Sequence, residues 1–186
     1  MDITITKATE QDLLEIISLK QNIWNEIENK EWYEIRGTTE SFLKRILHEN
    51  GLILKAINPE NKIIGFLIVE GYLREDSELV RKTHIQNRNE YIEMTNAGVS
   101  QNYRGLGLQR KMILKAEELM LKANDNIKFS IATVHPDNKA SYNTLTNIGY
   151  KKITEKELYS GKRRYIVVKK LPQNIKKGGY DYANKN

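Results

Sequence analysis

The chain has 186 residues, no cysteine, 39% hydrophobic and 29% charged residues, and a formal net charge of +6. That length suits one domain with its own core, and the missing thiols exclude disulfides and thiolate chemistry and fit a reducing, cytoplasmic setting. No apolar run approaches the ~18 residues of a membrane span, the acidic start MDITITKATEQDLLEI lacks the basic region of a secretory leader, and His48, His84 and His135 show no metal-ligand spacing, so no metal is expected.

In chain order, DITITKA alternates β-branched and polar residues and predicts a strand over Asp2–Ala8. Thr9, with Asp12 three residues on, reads as the cap of a helix carrying Leu13, Leu14, Ile16, Ile17, Ile23 and Trp24. A second helix starts at Thr38 or Thr39, carries Phe42, Leu43, Ile46 and Leu47, and ends at Asn50-Gly51, a pair suited to a left-handed cap. LILKAI and IIGFLIVEGYL flank NPENK as a hairpin. The polar stretch 74–90 reads as a surface insertion with one short helix. YIEMTNAGV (Tyr91–Val99) is a strand, a helix follows from about Gly107 to Ala123, and KFSIATV (Lys128–Val134) is a buried strand. HPDNKASYNTLTNIGY gives a short helix closed by Gly149, and KKITEKELYS and RRYIVVKKL form a hairpin around Gly161. A single domain over 1–171 is expected, with a basic tail, 172–186, too poor in apolar residues to pack. The order implies mostly antiparallel strands plus one parallel strand–helix–strand unit, Tyr91 to Val134.

Charge is unevenly placed. Residues 1–100 carry 12 Lys/Arg and 17 Asp/Glu, whereas residues 101–186 carry 18 and 7. A basic half fits an anionic partner or a solvated lysine-rich surface. The stretch YRGLGLQ, Tyr103 to Gln109, sits where a strand gives way to a helix. Unpaired amides and the helix dipole make such a place attractive to anions, and Gly105 and Gly107 let a phosphate approach the backbone. The same glycines also suit a plain turn. A Walker loop is absent, and Arg110 stands where a dinucleotide fingerprint needs its third glycine.

VSQNYRGLGLQ resembles the acetyl-CoA loop of the GNAT superfamily of N-acetyltransferases, roughly V-x-x-x-x-R-G-x-G-x-[GA]. TVHPDNKASYNTLTNIGY resembles its second signature, a strand followed by N-x-x-[AS] and a short helix ending G-[FY]. The resemblance covers about residues 2–171. It implies an α/β fold, a mixed and mostly antiparallel sheet flanked by helices, whose central parallel pair is splayed to hold acetyl-CoA. On this chain the pair would be Tyr91–Val99 and Lys128–Val134. Backbone groups of Ala97 and Val99 would pair with the pantetheine arm, the amides of Arg104, Gly105, Leu106, Gly107, Leu108 and Gln109 would hold the pyrophosphate, and Asn138 would reach the cofactor or cap its helix. Arg110 and Lys139 would touch phosphates or stay solvated. Gln109 departs from the small residue of the motif. Leu145 stands where many members carry the tyrosine that protonates the departing thiolate, with Tyr142 one turn earlier as a substitute or a packed aromatic.

The family implies direct attack of an amine on the thioester, which the absence of cysteine suits. An amine is mostly protonated near neutrality and needs a base. Glu93 is the candidate, placed by strand alternation on one face with Thr95 and Ala97. Glu70 is the runner-up and His135 a third option; the plainer reading of each carboxylate, Glu70 more than Glu93, is a surface-facing position on a half-exposed sheet. Trp24, Trp32, Tyr33 and the insertion 74–90 are where acceptor specificity would lie, for a small-molecule or peptide amine, with a homodimer also compatible. A catalytically weak acyl-CoA-binding regulatory module is the alternative. Nucleic acid ranks last, because basic strands interleaved with aromatics are missing, and no membrane partner is expected.

Overall fold

The computed structural model describes residues 2–34 and 39–173. Seven strands form one sheet in the order β1-β2-β3-β4-β5-β7-β6: β1 Thr4–Lys7, β2 Leu52–Ile57, β3 Ile63–Glu70, β4 Tyr91–Val99, β5 Phe129–Val134, β6 Lys151–Leu158 and β7 Lys162–Lys170. Every neighbouring pair is antiparallel except β4 and β5. The helices are α1 Leu13–Glu26, α2 Glu40–His48, α3 Glu78–Thr83, α4 Leu108–Ala123 and α5 Lys139–Thr146. The mixed fold expected from the sequence is the fold observed.

Two helical layers cover the sheet. On one face α1 and α2 bury Leu13, Ile16, Ile23, Leu43 and Ile46 against Ile53, Phe66 and Ile68. On the other, Met112, Ile113 and Ala116 of α4 pack on Leu54, Leu67, Val69, Ile92 and Met94. The β3 run IIGFLIVE is therefore apolar at nearly every position because both its faces are covered. Each large side chain so buried stabilises by about 1.5–3 kcal/mol.

Local signals place the elements. The Thr9 amide donates to Asp12 Oδ2 at 2.7 Å ahead of α1, and Thr39 Oγ1 accepts from the Phe42 amide at 3.2 Å at the start of α2. The expected left-handed ending of α2 at Asn50-Gly51 is not formed: Glu49 closes the helix in an extended conformation, and neither Asn50 nor Gly51 has positive φ. Gly51 is required by space instead, since a Cβ there would lie 2.7 Å from the Ile46 carbonyl oxygen and 2.9 Å from that of Val69. The insertion 74–90 is less superficial than its charge suggests. It holds α3, whose Leu79 is buried with Leu73, Ile131, Leu158 and Ile166 in a third apolar cluster. Pro172 and Gln173 follow β7, Gln173 Nε2 donating to the Ile127 carbonyl at 3.2 Å; the rest of the expected tail, 174–186, lies outside the described residues, as does Thr38.

Candidate active site

The parallel pair is short. β4 and β5 are in register only from Tyr91 opposite Phe129 to Met94 opposite Ala132. Beyond that, β4 continues to Val99 bonded to β3, and Thr133 and Val134 continue bonded to β7. The edges that β4 and β5 turn toward each other thus diverge into a slot whose closed end is Met94/Ala132. A cavity of about 1130 Å³ fills this slot and the space beside it, larger than the ~300–1,000 Å³ of an ordinary ligand pocket.

At the open end stands the glycine loop. Gly105 and Gly107 have φ of 81° and 69°, a left-handed region that other residues enter at a cost, and Gly107 is the N-cap of α4. A Cβ at either would meet nothing within 4 Å, so the space beside both glycines at the start of α4 is open. Arg104 is held rather than free: Nε donates to the Val99 carbonyl at 3.2 Å and Nη2 to Glu26 Oε2 at 3.2 Å. Gln109 does not crowd the loop. Its Nε2 reaches across the slot to Ser141 Oγ at 3.2 Å, tying α4 to α5. Asn138 caps α5, its side chain accepting from the Ser141 amide at 3.1 Å, and also lines the cavity. Arg110 lines the cavity as well, with Ala97, Val99, Leu108 and Leu145.

At the closed end stands Glu93. The register of β3 against β4 slips between Ile68/Val69 and Asn96/Met94, leaving Thr95 as a bulge. The alternation expected from the sequence is therefore broken. Glu93 shares its face with Asn96 and Gly98, the α1 side, while Ala97 faces α4 with Met94 and Val99. Glu93 sits directly opposite Glu70 on β3 and laterally beside Ile131 on β5. Burial, with the Glu70 charge adding, pushes its carboxyl up to about 8. No hydrogen bond or ion pair engages this carboxyl among the described residues. Glu70 differs: Arg45 Nη2 lies 3.4 Å from its Oε2. His135 is buried, with Nδ1 accepting from the Asp137 amide at 3.2 Å, and burial lowers its pKa; it does not line the cavity.

The segment Lys30–Glu34 roofs this end. Asn96 Nδ2 donates to the Glu34 carbonyl at 2.9 Å, Lys162 Nζ to Glu34 Oε2 at 2.9 Å, and Arg164 Nη2 to the Glu31 carbonyl at 2.7 Å. Trp32 and Tyr33 line the cavity; Trp24 instead packs under Lys30, whose Nζ lies 4.6 Å from its ring centroid. Tyr33 Oη and Asn96 Oδ1, both on residues of the cavity wall, are buried with no hydrogen-bond partner among the described residues.

Tyr142 turns away from the slot. Its ring packs edge-on against Tyr165, 5.3 Å between centroids, and it is not among the cavity residues. The wall does contain a tyrosine that sequence reasoning missed. Tyr159, in the turn between β6 and β7, has φ of 54°, and its Oη lies 3.2 Å from Thr133 Oγ1. Only its unusual backbone conformation marks it, and that is invisible in the string LYSG.

A parallel pair that splays open, with a glycine loop at the mouth of the next helix, is the arrangement found in a known family. The sequence pattern of the acetyltransferase (GNAT) family matches residues 15–150. The chain belongs to the GNAT family. No curated protein sequence matches this chain closely enough to count as a relative. Among solved structures, a GNAT-family acetyltransferase from Streptococcus pneumoniae superposes with a TM-score of 0.69 at 15% identity, over 92% of this chain and 100% of the other. An N-acetyltransferase from Staphylococcus aureus Mu50 gives 0.71 at 14% identity, over 92% and 100%. A Salmonella typhimurium protein solved with acetyl-CoA as its cofactor gives 0.66 at 14% identity, over 100% and 99%. At these identities the likeness is one of fold.

Proposed function

We propose that this GNAT protein transfers the acetyl group of acetyl-CoA directly to a primary amine. One observation carries the reading: the slot has a glycine-opened helix N-terminus at its mouth and an unpaired carboxyl of raised pKa at its closed end. The amides from Gly105 to Gln109 would receive the pyrophosphate, helped by the α4 dipole. The backbone of β4 at Ala97 and Val99, past the last rung to β5 and with the Val99 carbonyl already accepting from Arg104, would bond the pantetheine arm as an added strand. Asn138, fixed by its capping bond, and Arg110 would border the same arm. Acetyl-CoA supplies an activated thioester, so no acyl-enzyme is needed.

Glu93 accepts the proton that the amine loses as its nitrogen bonds to the acetyl carbon. A base poised near neutrality is effective at this, and burial, with the opposed Glu70 adding to it, keeps Glu93 in that range. The roof over Glu93 would bound the acceptor, and the two unpartnered polar atoms, Tyr33 Oη and Asn96 Oδ1, fit hydrogen bonds to it.

A thiol reagent tests it without protein background, since the chain has no cysteine. Acetyl-CoA should bind by calorimetry in the micromolar range, and a panel of primary amines should contain acceptors that release free CoA thiol. Binding without release by any amine would instead favour the acyl-CoA-binding module, which the buried Leu145 in place of the usual tyrosine keeps in view. Absence of binding would remove both.

A further inference from the structure

We infer that Tyr159 is the proton donor to the departing CoA thiolate. The inference rests on the acetyltransferase reading and fills the role that Leu145 and Tyr142 leave open on α5.

Geometry carries it. Thr133 is the first residue of β5 beyond the last rung to β4, so its side chain marks the closed end of the slot. An extended arm entering from the glycine loop brings its reactive end there. Tyr159 Oη, 3.2 Å from Thr133 Oγ1, is placed at that same end. Its ring packs against the apolar cluster that contains Ile131, the lateral neighbour of Glu93 on β5, and Tyr159 and Glu93 both line the cavity.

The turn is built to hold the ring there. A bulky aromatic at φ of 54° is a rare and costly conformation, tolerated where surroundings enforce it. The Tyr159 amide donates to Glu78 Oε2 at 2.6 Å, which is how the insertion 74–90 acquires a purpose, and the Arg164 guanidinium lies 5.7 Å from the ring centroid. Burial first, and then the Glu93 charge, raise the Tyr159 pKa, so the phenol stays protonated until it is needed. Once Glu93 has taken the amine's proton that repulsion is gone and the phenol is a stronger acid than in the resting site; burial still holds it weaker than a thiol, so the transfer to sulfur is completed by the return of the Glu93 proton.

The step balances. The amine nitrogen bonds to the acetyl carbon and its proton passes to Glu93. The carbon–sulfur bond breaks with its electron pair going to sulfur, and sulfur takes the Tyr159 Oη proton. The phenolate then recovers the proton held by Glu93, leaving amide and free CoA thiol.

The test compares Tyr159→Phe and Tyr159→Gly with wild type, using any amine that releases CoA. Tyr159→Phe should lower kcat by about 100-fold or more with the calorimetric affinity for acetyl-CoA unchanged. Tyr159→Gly, which suits a positive φ, should lose activity and regain part of it on adding phenol but not toluene. A Tyr159→Phe enzyme of full kcat, a defect confined to the acceptor's KM, or equal rescue by toluene would overturn the assignment. A wild type that releases no CoA would remove the parent reading as well, whereas a fully active Tyr159→Phe removes this one alone.

Discussion

Replacing Glu93 with glutamine should harm activity and help stability, and both effects should follow pH. In the folded protein the Glu93 carboxyl titrates near 8, against an ordinary value of 4.5. Between those two values the folded chain holds a proton that the unfolded chain has released, so stability falls as pH rises and the loss is complete above the folded pKa. At pH 7 the gap to the unfolded value corresponds to about 3 kcal/mol, at about 1.4 kcal/mol per pH unit. Glutamine has no such cost. Glu93→Gln should therefore raise Tm at pH 7 by roughly 6–12 °C, at about 2–4 °C per kcal/mol for a chain of this size, and by almost nothing at pH 4. Thermal melts of both proteins from pH 4 to 8.5 measure this directly. Over the same range wild-type kcat/KM should climb toward a plateau above pH 8 as the base ionises, with Glu93→Gln slower by about 10²–10⁴. A Tm difference that does not widen with pH would refute the buried, charge-opposed carboxyl on which the base assignment stands.

Gly107→Glu should abolish acetyl-CoA binding in calorimetry. Its Cβ meets open space, so it should cost only about 1–2 kcal/mol for the left-handed backbone, a modest Tm loss. Tyr142→Phe should leave kcat within twofold of wild type, because that ring packs on Tyr165 outside the cavity; a large drop in a steady-state assay would return the acid role to α5. Gly71→Ala should destabilise by about 3 kcal/mol or more in a urea melt, since its Cβ would fall 1.5 Å from the Asn50 carbonyl oxygen, where backbone and not side chain must move.

Much of the fold was legible because its elements carry strong local signals. The bounds of β4, Tyr91–Val99, follow from its apolar and β-branched run between polar neighbours, and α4 from its period after two glycines. The family motifs located the slot. What the string hid was whatever depends on one residue shifting register. The Thr95 bulge moves Asn96 onto the Glu93 face and Ala97 off it, and nothing in YIEMTNAGV announces that slip. Nor does any local signal say that Tyr142 points away while Tyr159, in a hairpin turn, points in, because both orientations are set by packing between distant segments. The charged insertion misled for a related reason: three apolar residues, Leu79, Val80 and Ile85, anchor it on the cluster that holds Leu73 and Leu158.

The short parallel seam has a mechanical consequence. Strands β1 to β4 form one plate and β5, β7 and β6 another, stapled together over Tyr91–Met94 and Phe129–Ala132. Such a seam is a hinge line, and a ligand lying along the open part of it acts as a splint. Amide exchange in the β5–β7–β6 plate should then slow when the slot is filled, even at residues that touch nothing bound. Slot occupancy would thus be felt as far away as β6, at the outer edge of the sheet.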